Sequence, residues 1–207
     1  HARLQKTALG YRLLYLWKGA ETAEDSRGKK PVALMSHMDV VPADEEGWDY
    51  PPFSGAVADG YVWGRGSIDM KFGLITILEA IEEMLEEGFV PSRDIYVIST
   101  CDEEAGDQGG IGEIAERLGR ARVRLEWVLD EGGVVGEGMM AGLDKPLAVV
   151  GVAEKGYLDL ELSVEMEAGH SSMPGQVTSV GLLSQAVARV EARQMPSRIV
   201  SPVRART

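Results

Sequence analysis

The stretch Val32-Ala-Leu-Met-Ser36 runs directly into His37-Met-Asp39, and a junction of this kind recurs twice along the chain. Ile95-Tyr-Val-Ile-Ser-Thr100 leads through Cys101 into Asp102-Glu103-Glu104, and Glu126-Trp-Val-Leu129 leads into Asp130-Glu131. Each run has the β-branched and aliphatic character of a strand and ends in residues able to hold a metal. Between the first two, Met70–Glu87 places Leu74, Ile77, Leu78, Ile81 and Leu85 at helical spacing with acids opposite. Gly88 suits the C-cap of that helix and Pro91 bars its continuation. Gly109–Arg120 predicts a second, shorter helix. The order β-α-β-α-β predicts an α/β fold, a mostly parallel sheet flanked by helices. In such a sheet the carboxyl ends of the strands share one edge, where ligands bind. His37, Asp39, Glu103, Glu104 and Asp130, far apart in sequence, are expected to converge there.

Composition narrows the function classes. Hydrophobic residues make up 44% of the 207 and charged residues 26%, ordinary for a globular protein, while the net charge is −12. Nucleic acid and anionic membranes call for a basic surface, so neither is expected as a partner. No apolar run is long enough to span a bilayer and no signal peptide is visible. Compartment stays open: a soluble protein, cytoplasmic if bacterial, with any targeting segment missing. The single Cys101 excludes an internal disulfide and reads as a small core residue. A nucleophilic role is not expected, because Asp102, Glu103 and Glu104 disfavour the thiolate. The chain reads as a fragment cut at both ends.

Near Gly151–Lys155 the pattern changes. Tyr157–Met166 alternates apolar and polar residues, predicting a strand with one solvated face, and Ser179–Arg193 predicts a helix. A domain boundary is placed there, dividing residues 1–152 from 153–207.

Several residues have a specific chemical use. Residues two apart on a strand point to the same side, so His37 can ligate a metal while Asp39 accepts the hydrogen bond of its other ring nitrogen and fixes the tautomer. Glu103 and Glu104 point in different directions, so one can bind a metal while the other faces a reacting water as general base. Asp69, in Gly64-Arg-Gly-Ser-Ile-Asp69-Met-Lys71, is either a helix N-cap or a carboxylate bridging two metals. Asp130 is a further ligand candidate, with Glu131 read as its bystander. One imidazole and several carboxylates suit zinc, or manganese or cobalt.

Six motifs stand in a fixed order: Ser36-His-Met-Asp-Val-Val-Pro42, Pro51-Pro-Phe-Ser-Gly55, the segment around Asp69, Asp102-Glu-Glu104, Leu129-Asp-Glu-Gly-Gly133 and Gly169-His-Ser-Ser-Met-Pro174. Together they resemble the aminoacylase/carboxypeptidase superfamily of dinuclear zinc hydrolases, nearest the carboxypeptidase S and N-acyl amino acid hydrolase branch. The resemblance implies a zinc exopeptidase-like catalytic domain and the start of an α+β lid used for dimerisation. It implies two Zn²⁺ ions, with Co or Mn possible in their place. His37 and Asp130 would bind one metal, Asp69 would bridge, Glu104 would bind the second, and Glu103 would be the base. Asp39 would orient His37, and His170 would reach a neighbouring subunit's active site to stabilise an oxyanion. The implied substrate is a dipeptide, a C-terminal peptide residue or an N-acyl amino acid. One departure matters: the family completes its second metal site with a later histidine, whereas this chain has only His1, His37 and His170. The fragment by itself is therefore expected to be inactive.

Two other readings compete. In a nucleotide-binding domain, Gly132-Gly-Val-Val-Gly136 would cradle a pyrophosphate, but it is no G-x-G-x-x-G and Asp130 and Glu131 would repel the anion. A catalytically dead assembly module sits poorly with an intact His37, Asp69, Glu103, Glu104 and Asp130.

Overall fold

Two apolar segments form the centre of the structure, a computed structural model that describes residues 4–20, 28–106, 110–153, 155–170, 172–173 and 175–198. In chain order the strands and helices are β1 (Leu4–Leu9), β2 (Arg12–Trp17), β3 (Val32–His37), β4 (Ala56–Ala58), β5 (Tyr61–Trp63), α1 (Gly73–Glu86), β6 (Ile95–Thr100), α2 (Gly110–Arg120), β7 (Val128–Leu129), β8 (Val135–Gly136), β9 (Leu147–Ala148) and α3 (Ser179–Glu191). They divide into two compact units, His1–Gly132 and Gly133–Thr207.

In the first unit a five-stranded sheet runs in the order β1-β2-β6-β3-β7. β3 lies parallel to β6 and to β7, as the β-α-β-α-β order predicts. β1 and β2 form an antiparallel hairpin, and β2 also pairs antiparallel with β6, so the sheet is mixed. The hairpin needs only a tight turn, which Gly10 supplies at φ +62°. The sheet register sets Val32 opposite Ile95 and His37 opposite Thr100, so both strands end level at the carboxyl edge.

Alternation along β6 explains the layering. Tyr96 and Ile98 pack with Leu14, Ala33 and the α2 residues Ile114 and Leu118. Val97, pointing the other way, packs with Trp17 and the α1 residue Ile81. One helix thus covers each face. Ile114 is completely buried, and truncating such a side chain to Ala costs about 2–5 kcal/mol.

The helix boundaries have local causes. α1 closes in a Schellman arrangement, with Gly88 N–H donating to Leu85 and Phe89 N–H to Met84, and Gly88 at φ +74°. Its regular part begins at Gly73, later than the periodicity predicts. Ser67–Phe72 forms a wider turn, kinked at Asp69 and Met70 and held where Lys71 Nζ donates to the Met38 carbonyl at 2.7 Å. Gly66, at φ +84°, is needed in this turn, because a Cβ there would stand 2.3 Å from Val40 Cγ1. That close approach sets Asp69 beside the end of β3.

In the second unit, β8 and β9 pair antiparallel. After Gly133 the chain enters β8 and then β9, and among the described residues no helix begins before α3, which leaves the pyrophosphate-cradle reading without a helix N-terminus at the glycines. The strand expected at Tyr157–Met166 is not formed: among the described residues, none between 155 and 170 joins a ladder. Alternation foretells two faces, but a strand also needs a hydrogen-bonding neighbour. α3 forms where expected, capped by Thr178, whose Oγ1 accepts the Gly181 N–H at 3.1 Å. Among the described residues, no helix is long and apolar enough to cross a membrane.

Candidate metal centre

His37 closes β3 with its side chain 2% exposed. Its Nδ1 lies 3.1 Å from the Asp39 carbonyl, which can only accept, so Nδ1 carries the proton in that bond. Nε2 is left with a lone pair. It stands 3.0 Å from Asp69 Oδ1 and 3.4 Å from Glu131 Oε2. A lone pair facing two carboxylates is repulsive unless a proton or a cation lies among them.

The carboxyl edge of the sheet assembles the rest. Ligand atoms of His37, Asp69 and Glu104 lie within 4.8 Å of one another, as do those of His37, Glu103 and Glu131. β3 delivers His37, the kinked turn delivers Asp69, the exit of β6 delivers Glu103 and Glu104, and the exit of β7 delivers Glu131. Asp39 fastens two of these elements: its Oδ2 accepts the Glu104 N–H at 3.0 Å, and its Oδ1 lies 3.4 Å from His37 Nδ1. That Oδ1 is buried and makes no hydrogen bond among the described residues.

The proton affinities follow from this crowding. Partial burial, reinforced by the Asp69 hydrogen bond, pushes the Glu131 carboxyl up to about 7, although His37 opposes the rise. Glu103 is raised first by burial, with Glu104, Asp39 and Asp69 adding repulsion against the pull of His37. At His37 burial disfavours the charged ring, but the Asp69 hydrogen bond and the charges of Glu131 and Asp39 outweigh it, so its pKa is raised. An imidazole nitrogen with surrounding carboxylate oxygens, and no sulfur, fits zinc, manganese or cobalt.

Of the residues singled out in the sequence, the structure brings His37, Asp39, Asp69, Glu103 and Glu104 together. Asp130 is in neither ligand group; it is exposed, and its Oδ1 accepts the N–H of Glu131 at 2.9 Å. Glu131, read from sequence as a bystander, faces His37 instead. His170 lies in the second unit, exposed, with Nδ1 2.8 Å from Ser172 Oγ and accepting the Ser172 N–H at 3.3 Å. The Ser171 and Pro174 of its motif lie outside the described residues, as does His1.

Comparison with known proteins matches residues 33–207 to the family described as Peptidase family M20/M25/M40. The chain is 45% identical over 171 residues to the zebrafish (Danio rerio) N-fatty-acyl-amino acid synthase/hydrolase PM20D1.1, covering 82% of this chain and 33% of that protein. It is 40% identical over 204 residues to carboxypeptidase S of Saccharomyces cerevisiae, covering 93% and 33% respectively. The chain thus spans about a third of the length of the curated relatives it matches. Among solved structures, an M20 family metallo-carboxypeptidase, Sso-CP2 of Sulfolobus solfataricus, aligns with a TM-score of 0.49 at 20% identity, covering 64% of this chain and 32% of that one. With the family match extending over residues 33–207, the chain belongs to peptidase family M20/M25/M40.

Proposed function

We propose that the protein carrying this chain is a metal-dependent hydrolase that cleaves the amide bond of a dipeptide, a C-terminal peptide residue or an N-acyl amino acid. The observation that carries this reading is the meeting of the His37 Nε2 lone pair with carboxylates from three further elements at one sheet edge. The similar proteins named above include a carboxypeptidase and an N-fatty-acyl-amino acid synthase/hydrolase, which supports the choice of bond.

Two divalent ions, zinc or else cobalt or manganese, would be held by His37, Asp69, Glu104 and a residue from the β7 exit. The sequence motif nominates Asp130 for that last place and the geometry nominates Glu131. When bound, the ions polarise the carbonyl and acidify the attacking water. Glu103 takes the water proton and delivers it to the leaving amine nitrogen. Asp39 holds Glu104 by its N–H and faces the His37 ring, keeping both in place.

Residues 153–207 would begin a lid that dimerises, and His170 would donate to the oxyanion across the dimer. Because Ser172 N–H donates to His170 Nδ1, the neutral ring carries its proton on Nε2, the form a donor needs. Among the described residues the imidazoles are His37 and His170. The 207-residue stretch alone is accordingly expected to turn over no substrate.

The test is metal analysis of the whole protein together with hydrolysis of dipeptides and N-acyl amino acids. Chelation should abolish turnover and zinc should restore it. Full turnover by metal-stripped protein would refute the reading.

A further inference from the structure

Asp69 offers its carboxylate to the cluster from backbone that regular structure does not hold. Asp69 and Met70 both leave the helical range, at φ −106°, ψ 99° and φ −129°, ψ 30°. The Asp69 side chain is 66% exposed, so packing does little to place it. A ligating group nevertheless has to be held within about 0.5 Å of its productive position by its surroundings. The anchors must come from the residues beside it.

Met70 is buried and supplies one anchor. Lys71, half-buried, supplies the other. Its N–H donates to the Gly66 carbonyl at 3.0 Å, closing the turn. Its Nζ leaves the turn and donates to the Met38 carbonyl at 2.7 Å, and the bare Gly66 gives it room, since a Cβ there would stand 3.1 Å from Nζ. Met38 lies between His37 and Asp39, and its own N–H donates to the Thr100 carbonyl at 2.8 Å, just ahead of Glu103 and Glu104. The backbone of Met38 is thus gripped through its N–H by β6 and through its carbonyl by the turn. Three elements that carry the cluster's side chains meet at this one residue. A charged donor makes the Lys71 bond roughly twice as strong as a neutral one.

We propose that Lys71 is a positioning residue of the metal centre: by clamping the Asp69 turn to the Met38 carbonyl it fixes Asp69 against His37, 3.0 Å from Nε2, and so sets metal affinity while touching neither metal nor substrate. The inference rests on the reading of this cluster as a metal centre. The clamp itself is a property of the chain alone. Without it, the exposed Asp69 keeps only the Met70 anchor, and the turn is free to swing its carboxylate away from the ring.

The test has two arms in the whole protein. In the first, zinc affinity is measured by competition against a chromophoric chelator. Lys71→Met keeps the length of the stem and removes the donor, and affinity should fall roughly ten- to hundredfold, the usual effect of losing a group that orients a ligand. Lys71→Arg restores a cationic N–H donor and should recover most of that loss, which a purely space-filling role would not predict. Unchanged affinity in Lys71→Met overturns the proposal, and so does a loss that Lys71→Arg shares in full. The second arm needs no metal. In chelator-treated protein, Lys71→Met should lower the hydrogen-exchange protection of the residue 71 amide roughly tenfold or more, the worth of a hydrogen bond to a charged group, while the central β6 amides keep theirs. Lost protection at residue 71 in a protein that binds no zinc upholds the clamp while the metal-centre reading fails. Full protection there in a protein that binds zinc normally overturns the clamp and leaves the metal centre intact.

Discussion

Asp39→Asn is the most telling single change, because it preserves shape and removes one charge where one oxygen accepts a backbone N–H and the other faces the His37 ring without a hydrogen bond among the described residues. Oδ2 accepts the Glu104 N–H at 3.0 Å, so the asparagine oxygen must stay there to keep that bond. The asparagine NH₂ then takes the place of Oδ1, 3.4 Å from His37 Nδ1, where it meets a ring nitrogen that already carries a proton. Two donors now oppose each other. The ring must then either keep its proton on Nδ1 beside that amide or move it to Nε2 at the cost of the 3.1 Å bond to the Asp39 carbonyl, and a protonated Nε2 cannot ligate a metal. The substitution removes a carboxylate charge 3.4 Å from the ring nitrogen, and about 1.4 kcal/mol is a factor of ten in affinity. Zinc affinity should therefore fall roughly ten- to hundredfold, the range expected when a partner of a ligating histidine is lost. The assay is competition for zinc against a chromophoric chelator, with hydrogen exchange at the Glu104 amide followed in the same metal-free samples. Asp39→Asn should leave that amide protected and weaken zinc binding, whereas Asp39→Ala should lose both. Unchanged zinc affinity in Asp39→Asn, with Glu104 still protected, would refute the tautomer argument.

Other changes separate roles among the remaining residues. Glu131→Gln should lower bound metal in the whole protein while Asp130→Asn leaves it near the wild-type level; metal content by atomic emission decides, and the opposite pattern would favour the motif over the geometry. Glu103→Gln should reduce kcat by roughly 10²–10⁴-fold with metal content intact, the usual worth of a positioned acid–base group; loss of metal instead would make Glu103 a ligand. Mixing inactive Glu103→Gln subunits with inactive His170→Ala subunits should restore partial turnover in verified hybrid dimers, and no recovery would remove His170 from the neighbouring site. Ile114→Ala should lower unfolding free energy by about 2–5 kcal/mol in denaturant titration, and a change below about 0.5 kcal/mol would mean α2 does not hold that face of the sheet.

How far the sequence could be read depended on whether the signal was local or pairwise. β3 and β6 announce themselves through continuous apolar runs, and α1 through its period, because burial on two faces or on one stripe leaves a mark in each segment alone. His37, Asp39, Glu103 and Glu104 follow from where their strands end, whereas Asp69 owes its place to a kinked turn ahead of α1 that the periodicity does not show. The antiparallel placing of β2 against β6 and the unpaired Tyr157–Met166 were not legible, because a strand's partner is not written in the strand. Asp130 and Glu131 show the limit at the scale of one residue. The pleat assigns directions only while the ladder lasts, and the pairing of β7 with β3 ends at Leu129 opposite Leu34. Beyond it the path is set by Gly132 at φ +100° and Gly133 at φ +73°, and by Asp130 turning back to accept the Glu131 N–H. One oxygen of Asp130 is thereby engaged with the backbone of the very next residue. Its longer neighbour is then the one that faces the Nε2 lone pair. For that reason the comparison of Asp130→Asn with Glu131→Gln tests whether turn chemistry, and not the order of letters in the motif, decides which carboxylate meets the metal.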